Sequence, residues 1–272
     1  MEILSQIRSL KPLVHCITNY VTANDVANAL ISLGASPVMA DDEREVEEMV
    51  CMSNALVINI GTLNERTITS MIKAGKKANG LNIPVVLDPV GAGATTFRTQ
   101  TALKLIENIK FSIIRGNASE ISALVGDDIN KSCGVDVNSK SAELGVEEIV
   151  KRASVLWKLS KSVIVVSGRI DIVLEGNNVA VSENGHEIMT KVTGSGCMLS
   201  AVLAAFAASE EDIFQAALYG VLAFGICGEM AMDLMSDRDA NASYRNYLIN
   251  ELSNIDDSTI ELRKMVRSNL EK

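Results

Sequence analysis

Six short apolar runs, residues 13–18, 36–39, 55–60, 84–88, 111–114 and 162–167, recur through the first part of the chain. They are rich in Val and Ile and lack strict polar alternation, the pattern of strands covered on both faces. Between them lie stretches with helical spacing, at 23–33 (closed by Gly34), 43–52, 64–78 and 101–109. Parallel neighbours in a sheet need a crossover segment of about a dozen residues. This βαβα rhythm therefore restricts the chain to an α/β fold: a doubly wound, mostly parallel sheet flanked by helices. Beyond Ser167, the runs 172–174 and 179–181 flank Glu175-Gly176-Asn177-Asn178 and predict a β-hairpin closing one edge of the sheet. From Gly194 the pattern reads as helical through Leu270. No linker-like tract or internal repeat divides the sequence, so one domain over residues 1–272 is expected. The stretch 126–140 is the one expected to be mobile.

Hydrophobic residues make up 47% and charged residues 22% of the 272, which excludes a disordered chain. A net charge of -9 without basic clusters excludes nucleic acid as a partner, because phosphate binding needs Lys and Arg to displace counterions. Five widely spaced cysteines (Cys16, Cys51, Cys133, Cys197, Cys227) and two histidines (His15, His186) assemble no zinc spacing. Most of the cysteines read as reduced, buried thiols, suiting a cytoplasmic protein. The amino end lacks the features of a signal peptide. The longest apolar run, 197–208, is broken by Ser200 and falls short of the roughly 18 residues of a membrane span. No membrane association is expected.

In such sheets ligands bind at the carboxyl ends of the strands. Thr193-Gly194-Ser195-Gly196-Cys197 opens an apolar helix. Its two glycines let successive amides face one point, where the helix start favours an anion. A tight loop that merely packs a buried helix is the competing reading. Cys197 is an inert thiol, a nucleophile or a proton acceptor, with its pKa expected to be lowered by the helix start. Asp88 ends an apolar strand before Pro89-Val90-Gly91-Ala92-Gly93-Ala94 and either binds Mg²⁺ or caps the turn. Arg115-Gly116-Asn117-Ala118-Ser119-Glu120 follows another strand. There Arg115 suits a phosphate, while Glu120 either caps a helix or orients water and metal. Two carboxylates, an arginine and an anion-binding loop at strand ends make up a phosphoryl-transfer site. His15 and Asn19 at the first strand end, and Met39 after the second, read as structural unless a ligand reaches them. Asp41-Asp42-Glu43 reads as the acidic start of a helix. Neither GxGxxG nor a Walker-type GxxxxGK[ST] is present.

Taken together, His15-Cys16-Ile17-Thr18-Asn19, 88–94, 115–120 and Thr193-Gly194-Ser195-Gly196-Cys197 resemble the hydroxyethylthiazole kinases, thiamin-salvage enzymes of the ribokinase-like superfamily. Cysteine at position 197, where superfamily relatives usually place Asp, is the most specific mark. The resemblance implies transfer of the ATP γ-phosphoryl group to the hydroxyl of 4-methyl-5-(2-hydroxyethyl)thiazole with Mg²⁺. It also implies a homotrimer with active sites at subunit boundaries. By position, Cys197 would be catalytic, and Met39, Gly194 and Asn19 would bind the thiazole. Arg115 and Ser167 would bind ATP, with Asp88 and Glu120 at magnesium. The alternatives are a kinase of another small heterocyclic alcohol, a thiol hydrolase acting through Cys197, and a non-catalytic sensor on the same fold.

Overall fold

In a computed structural model the chain is described over residues 2–126 and 145–268. The stretch expected to be mobile, beyond Gly126, and Cys133 lie outside the described residues. The parallel part of the sheet comprises β1 (Leu13–Ile17), β2 (Ser36–Val38), β3 (Ala55–Asn59), β4 (Val85–Asp88), β5 (Ile113–Asn117) and β6 (Val163–Ser167). β7 (Asp171–Glu175), β8 (Asn178–Ser182) and β9 (Val266–Ser268) add an antiparallel extension. The order is β2-β1-β3-β4-β5-β6-β7-β8-β9, parallel up to β6 and antiparallel beyond it.

Side chains of one strand alternate between two cores, as the pleat requires. Ala55 and Val57 of β3 join the core on one face, whereas Leu56 and Ile58 join the other. The helix over Ala23–Leu33 ends at Gly34, whose φ of 104° is readily adopted only by glycine. Asn64 and Thr67 form a reciprocal capping box at the start of Glu65–Gly80. The helix Ser195–Ala207 is buried almost throughout, so it shows little amphipathic patterning.

Several local expectations are corrected. The hairpin β7–β8 does not close the sheet; β9 does, in a segment read as helix. Val266-Arg267-Ser268 is three residues long and gains its partner from a strand far away in sequence, so local periodicity carries no trace of it. β5 runs on to Asn117, which places Arg115 within the strand and not after it. Helices at Ile3–Leu10 and Val146–Ser160 complete the two faces. The helix after the acidic run begins only at Val46, because Asp42 turns back to bond the Arg44 backbone and side chain.

Among the described residues one helix, Ile213–Asp233, is long and apolar enough to cross a membrane, with mean hydropathy 1.5; 72% of that window is buried inside the protein. It packs against Ser195–Ala207 and belongs to the core on that face of the sheet.

Candidate active site

The carboxyl ends of β1, β3, β4, β5 and β6 converge on the start of the helix Ser195–Ala207. Register sets the levels: Asn59 pairs with Asp88 across β3–β4, and Asn117 with Ser167 across β5–β6. Asp88 is fully buried. Its Oδ2 accepts from Asn59 Nδ2 at 2.8 Å and from Ser200 Oγ at 2.9 Å. Its Oδ1 has no hydrogen-bond partner and lies 3.6 Å from Arg115 Nη1. Burial raises the Asp88 carboxyl above its ordinary pKa; Arg115 opposes that rise and Glu120 adds to it.

Arg115 bridges the site. One guanidinium nitrogen donates to Ser167 Oγ, and the group lies so close to Gly196 that any side chain there would collide with it. Gly194 adopts φ 87°, and a Cβ on it would overlap the Thr22 side chain. No side chain caps the helix that begins here. Its first helical bond within the α pattern runs from Met198 N to Gly194 O. The amides of Gly196 and Cys197 thus precede the hydrogen-bond ladder, at the positive end of the helix.

Cys197 is 9% exposed. Its Sγ accepts from Asn19 Nδ2 and Asn59 Nδ2, each at 3.3 Å. The expected lowering of its pKa is corrected: burial and the nearby Asp88 charge push the thiol up, against hydrogen bonds from Thr22, Asn59 and Asn19. Neither histidine serves this sulfur as a base. His15 is buried with Nε2 against Ala40 O at 2.7 Å, and His186 Nδ1 accepts from Ile188 N.

Glu120 performs the capping role and a second one. Its Oε2 accepts from Asn117 N and its Oε1 from Gly91 N, both at 2.8 Å, which ties the loop after β4 to the helix Ala118–Val125. Asn19 is 4% exposed, and all its polar valences go to protein partners: Oδ1 to Thr22 N and Oγ1, Nδ2 to Asn59 and Cys197. Met39, by contrast, is 38% exposed at the end of β2, outside the buried cluster, with Tyr20 and Val21 also exposed after β1.

A cavity of about 650 Å³ opens beside this cluster, lined among others by Arg115, Asn117, Ser167, Asp171, His186 and Gly196. A groove of about 760 Å³ at the opposite, amino-terminal end of the strands is larger. Its lining of Leu10, Pro84, Phe111 and mixed polar residues brings together no comparable set of charged and nucleophilic groups, so chemistry and not volume locates the site. Among the described residues no cluster of three or more His, Cys, Asp or Glu could hold a metal by itself. A buried carboxylate oxygen lacking a partner, with a second carboxylate nearby, nevertheless fits Mg²⁺, which keeps several waters and takes phosphate oxygens as ligands.

Comparison with known proteins decides the assignment. Residues 4–258 match the hydroxyethylthiazole kinase family. The chain belongs to that family. It is 50% identical over 262 residues to the hydroxyethylthiazole kinase of Clostridium acetobutylicum, covering 96% of each chain. It is 47% identical to that of Clostridium tetani, covering 97% of this chain and 95% of that one. A solved hydroxyethylthiazole kinase from Pyrococcus horikoshii OT3 superposes with a TM-score of 0.86 at 38% identity, covering 98% of this chain and 97% of that one. Pyridoxal kinase from Staphylococcus aureus shares the fold alone, at TM-score 0.64 and 15% identity, covering 95% and 98% of the two chains. The fold is ribokinase-like, and the enzyme is a kinase drawing on ATP.

Several residues of this candidate site escape a reading by motif. Asn59 ends a buried apolar strand directly opposite Asp88, and a polar residue in that position was the available signal. Ser200, Thr22 and Asp171 carry no local mark. Arg98 donates to the carbonyls of Ile60, Gly61 and Val90, clamping the loops that follow β3 and β4.

Proposed function

We propose that this kinase transfers the γ-phosphoryl group of ATP to the hydroxyl of 4-methyl-5-(2-hydroxyethyl)thiazole, the salvage step toward thiamin, and that its residues divide the work as follows. Arg115 and Ser167, hydrogen-bonded to each other on the cavity wall, bind the phosphates of ATP. The amides of Gly196 and Cys197 face the transferring group. Cys197 sits beside the substrate hydroxyl and orients it. Gly194 lets the chain turn close to the thiazole, and Met39, exposed beside the cluster, offers its thioether to the flat apolar ring. Asn19 acts by holding the sulfur, because its polar atoms are already committed.

Asp88 and Glu120 are the residues that would hold Mg²⁺ and its waters. When bound there, Mg²⁺ supplies neutralisation of the charge spread over the phosphate oxygens. The observation that carries this reading is the buried Asp88 Oδ1 aimed at Arg115 beside an uncapped helix start. A loose transition state for phosphoryl transfer asks for alignment and charge neutralisation more than for a strong base. A thiol whose pKa is raised is compatible with that demand.

The exposed Tyr20, Val21 and Met39 near the end of β1 and β2 support a subunit boundary there, in keeping with a homotrimer whose sites complete one another. The enzyme is read as a cytoplasmic single-domain protein. An ADP-release assay over a panel of small heterocyclic alcohols, with and without Mg²⁺, tests the activity. Turnover of the thiazole alcohol only when Mg²⁺ is present is expected, and turnover of a pyrimidine alcohol alone overturns the substrate. Sedimentation showing a stable, active monomer overturns the trimer.

A further inference from the structure

Asn59 is buried, lies outside every sequence motif of the site and has all of its polar valences engaged. Backbone donors fix which way its amide and its neighbour's are turned. Asn59 Oδ1 accepts from Gly61 N at 2.9 Å, and Asn19 Oδ1 accepts from Thr22 N at 3.1 Å. An amide nitrogen cannot accept those bonds, so both NH₂ groups must turn toward the interior of the site. The Asn59 group then gives one hydrogen to Asp88 Oδ2 at 2.8 Å and one to Cys197 Sγ at 3.3 Å. The Asn19 group gives one to Asn59 Oδ1 at 2.9 Å and one to Cys197 Sγ at 3.3 Å.

We infer that Asn59, locked to Asn19, is a positioning residue that holds the Cys197 sulfur as a hydrogen-bond acceptor from two sides and ties it to the Asp88 carboxylate. Two amide hydrogens engage the lone pairs of the sulfur on the Asn side, with the Thr22 hydroxyl beside them, which leaves the S–H hydrogen to point away from them, toward the substrate hydroxyl. The same contact occupies Asp88 Oδ2, with Ser200 as second donor, and so leaves Oδ1 as the oxygen presented to Arg115. One buried side chain thereby aims both the thiol and the carboxylate. This deepens the proposed function and rests on Cys197 touching the reacting hydroxyl.

The test is a double-mutant cycle in the full-length enzyme. Asn59→Asp keeps the acceptor for Gly61 and Asn19 but replaces both donors. Asn19→Ala removes one donor to the sulfur without touching Asp88, and it serves if Asn59→Asp does not fold. Each is made in the native background and in Cys197→Ala, with thermal unfolding measured alongside. Misaimed groups cost on the order of 10- to 100-fold in rate. We expect kcat to fall by that order in the native background with KM for ATP nearly unchanged, and the effect of Asn19→Ala to vanish in Cys197→Ala. If Cys197→Ala lowers kcat but Asn19→Ala and Asn59→Asp cost the same factor in both backgrounds, the positioning role is overturned while the proposed function stands. Unchanged kcat in folded Asn59→Asp and Asn19→Ala overturns it as well. Unchanged kcat in Cys197→Ala alone overturns the role of the sulfur and this inference with it.

Discussion

The candidate active site has two unlike halves. Around Asp88, Asn59, Asn19, Ser200 and Cys197 the polar groups are buried and bonded to one another, with Asp88 Oδ1 the open position. Around Arg115, Ser167 and Asp171 the walls surround a cavity of about 650 Å³. On the proposed function the closed half fixes geometry where bonds change, since alignment within a fraction of an ångström governs rate. The open half has room for a large, charged ligand such as the proposed ATP, which must arrive hydrated and leave again. Substitutions in the first half should therefore act on kcat, and those in the second on binding.

The largest effect is expected from Asp88→Asn. Removing the negative charge that would hold Mg²⁺, and with it the neutralisation of the transferring group, should lower kcat on the order of 10³-fold. Steady-state kinetics with a folding control checks it, and a change confined to KM would erase the distinction between the halves. Next is Cys197→Ala, expected to lower kcat by about 10²-fold with little change in KM for ATP. Cys197→Asp should restore part of that loss, because a carboxylate can take a hydrogen bond, and the proton, from the hydroxyl directly; a folded, ATP-binding but inactive Cys197→Asp enzyme would count against a polar group orienting the hydroxyl at this position.

On the open side, Ser167→Ala removes one hydrogen bond worth about 1 kcal/mol and should raise KM for ATP about fivefold at unchanged kcat. A drop in kcat instead would move Ser167 into the closed half.

The smallest effect concerns pH. Desolvation raises Asp171 to about 6, against the Gly168 amide and Arg115. The folded state therefore binds this proton more tightly than the unfolded one, and stability falls as pH rises from about 4 to about 6. Asp171→Asn, which keeps an acceptor for Gly168, should raise Tm by about 2 °C at pH 7. The gain should disappear at pH 4, as calorimetry at the two pH values would show.

The closed and open halves also differ in how far they could be read beforehand. Asp88, Arg115, Glu120 and Cys197 each stand in a short motif at a strand or helix end, and the structure gathers Asp88, Arg115 and Cys197 around one point with Glu120 joined through Gly91. Asn59 and Ser200 were not legible, since each is a lone polar residue in an apolar element and its meaning lies in a partner far along the chain. The helix start at Gly194 was legible, but its effect on the Cys197 thiol was misjudged. A helix terminus favours a thiolate locally, whereas burial and the Asp88 charge, both products of tertiary packing, outweigh it here. Met39 followed its strand as expected, yet it lies exposed and apart from the cluster.

By itself the order of residues determined the alternation of strands and helices, the parallel core of the sheet and the strand ends at which chemistry collects. Those features follow from side-chain periodicity and from local caps such as Gly34 and Asn64, which act within a turn or two of chain. Tertiary structure alone decided that β9 seals the sheet, that Asn59 and Asn19 turn their amides onto one sulfur, and that the thiol holds its proton. Each depends on groups brought together from distant segments, whose desolvation and mutual fields exist only once the chain has packed.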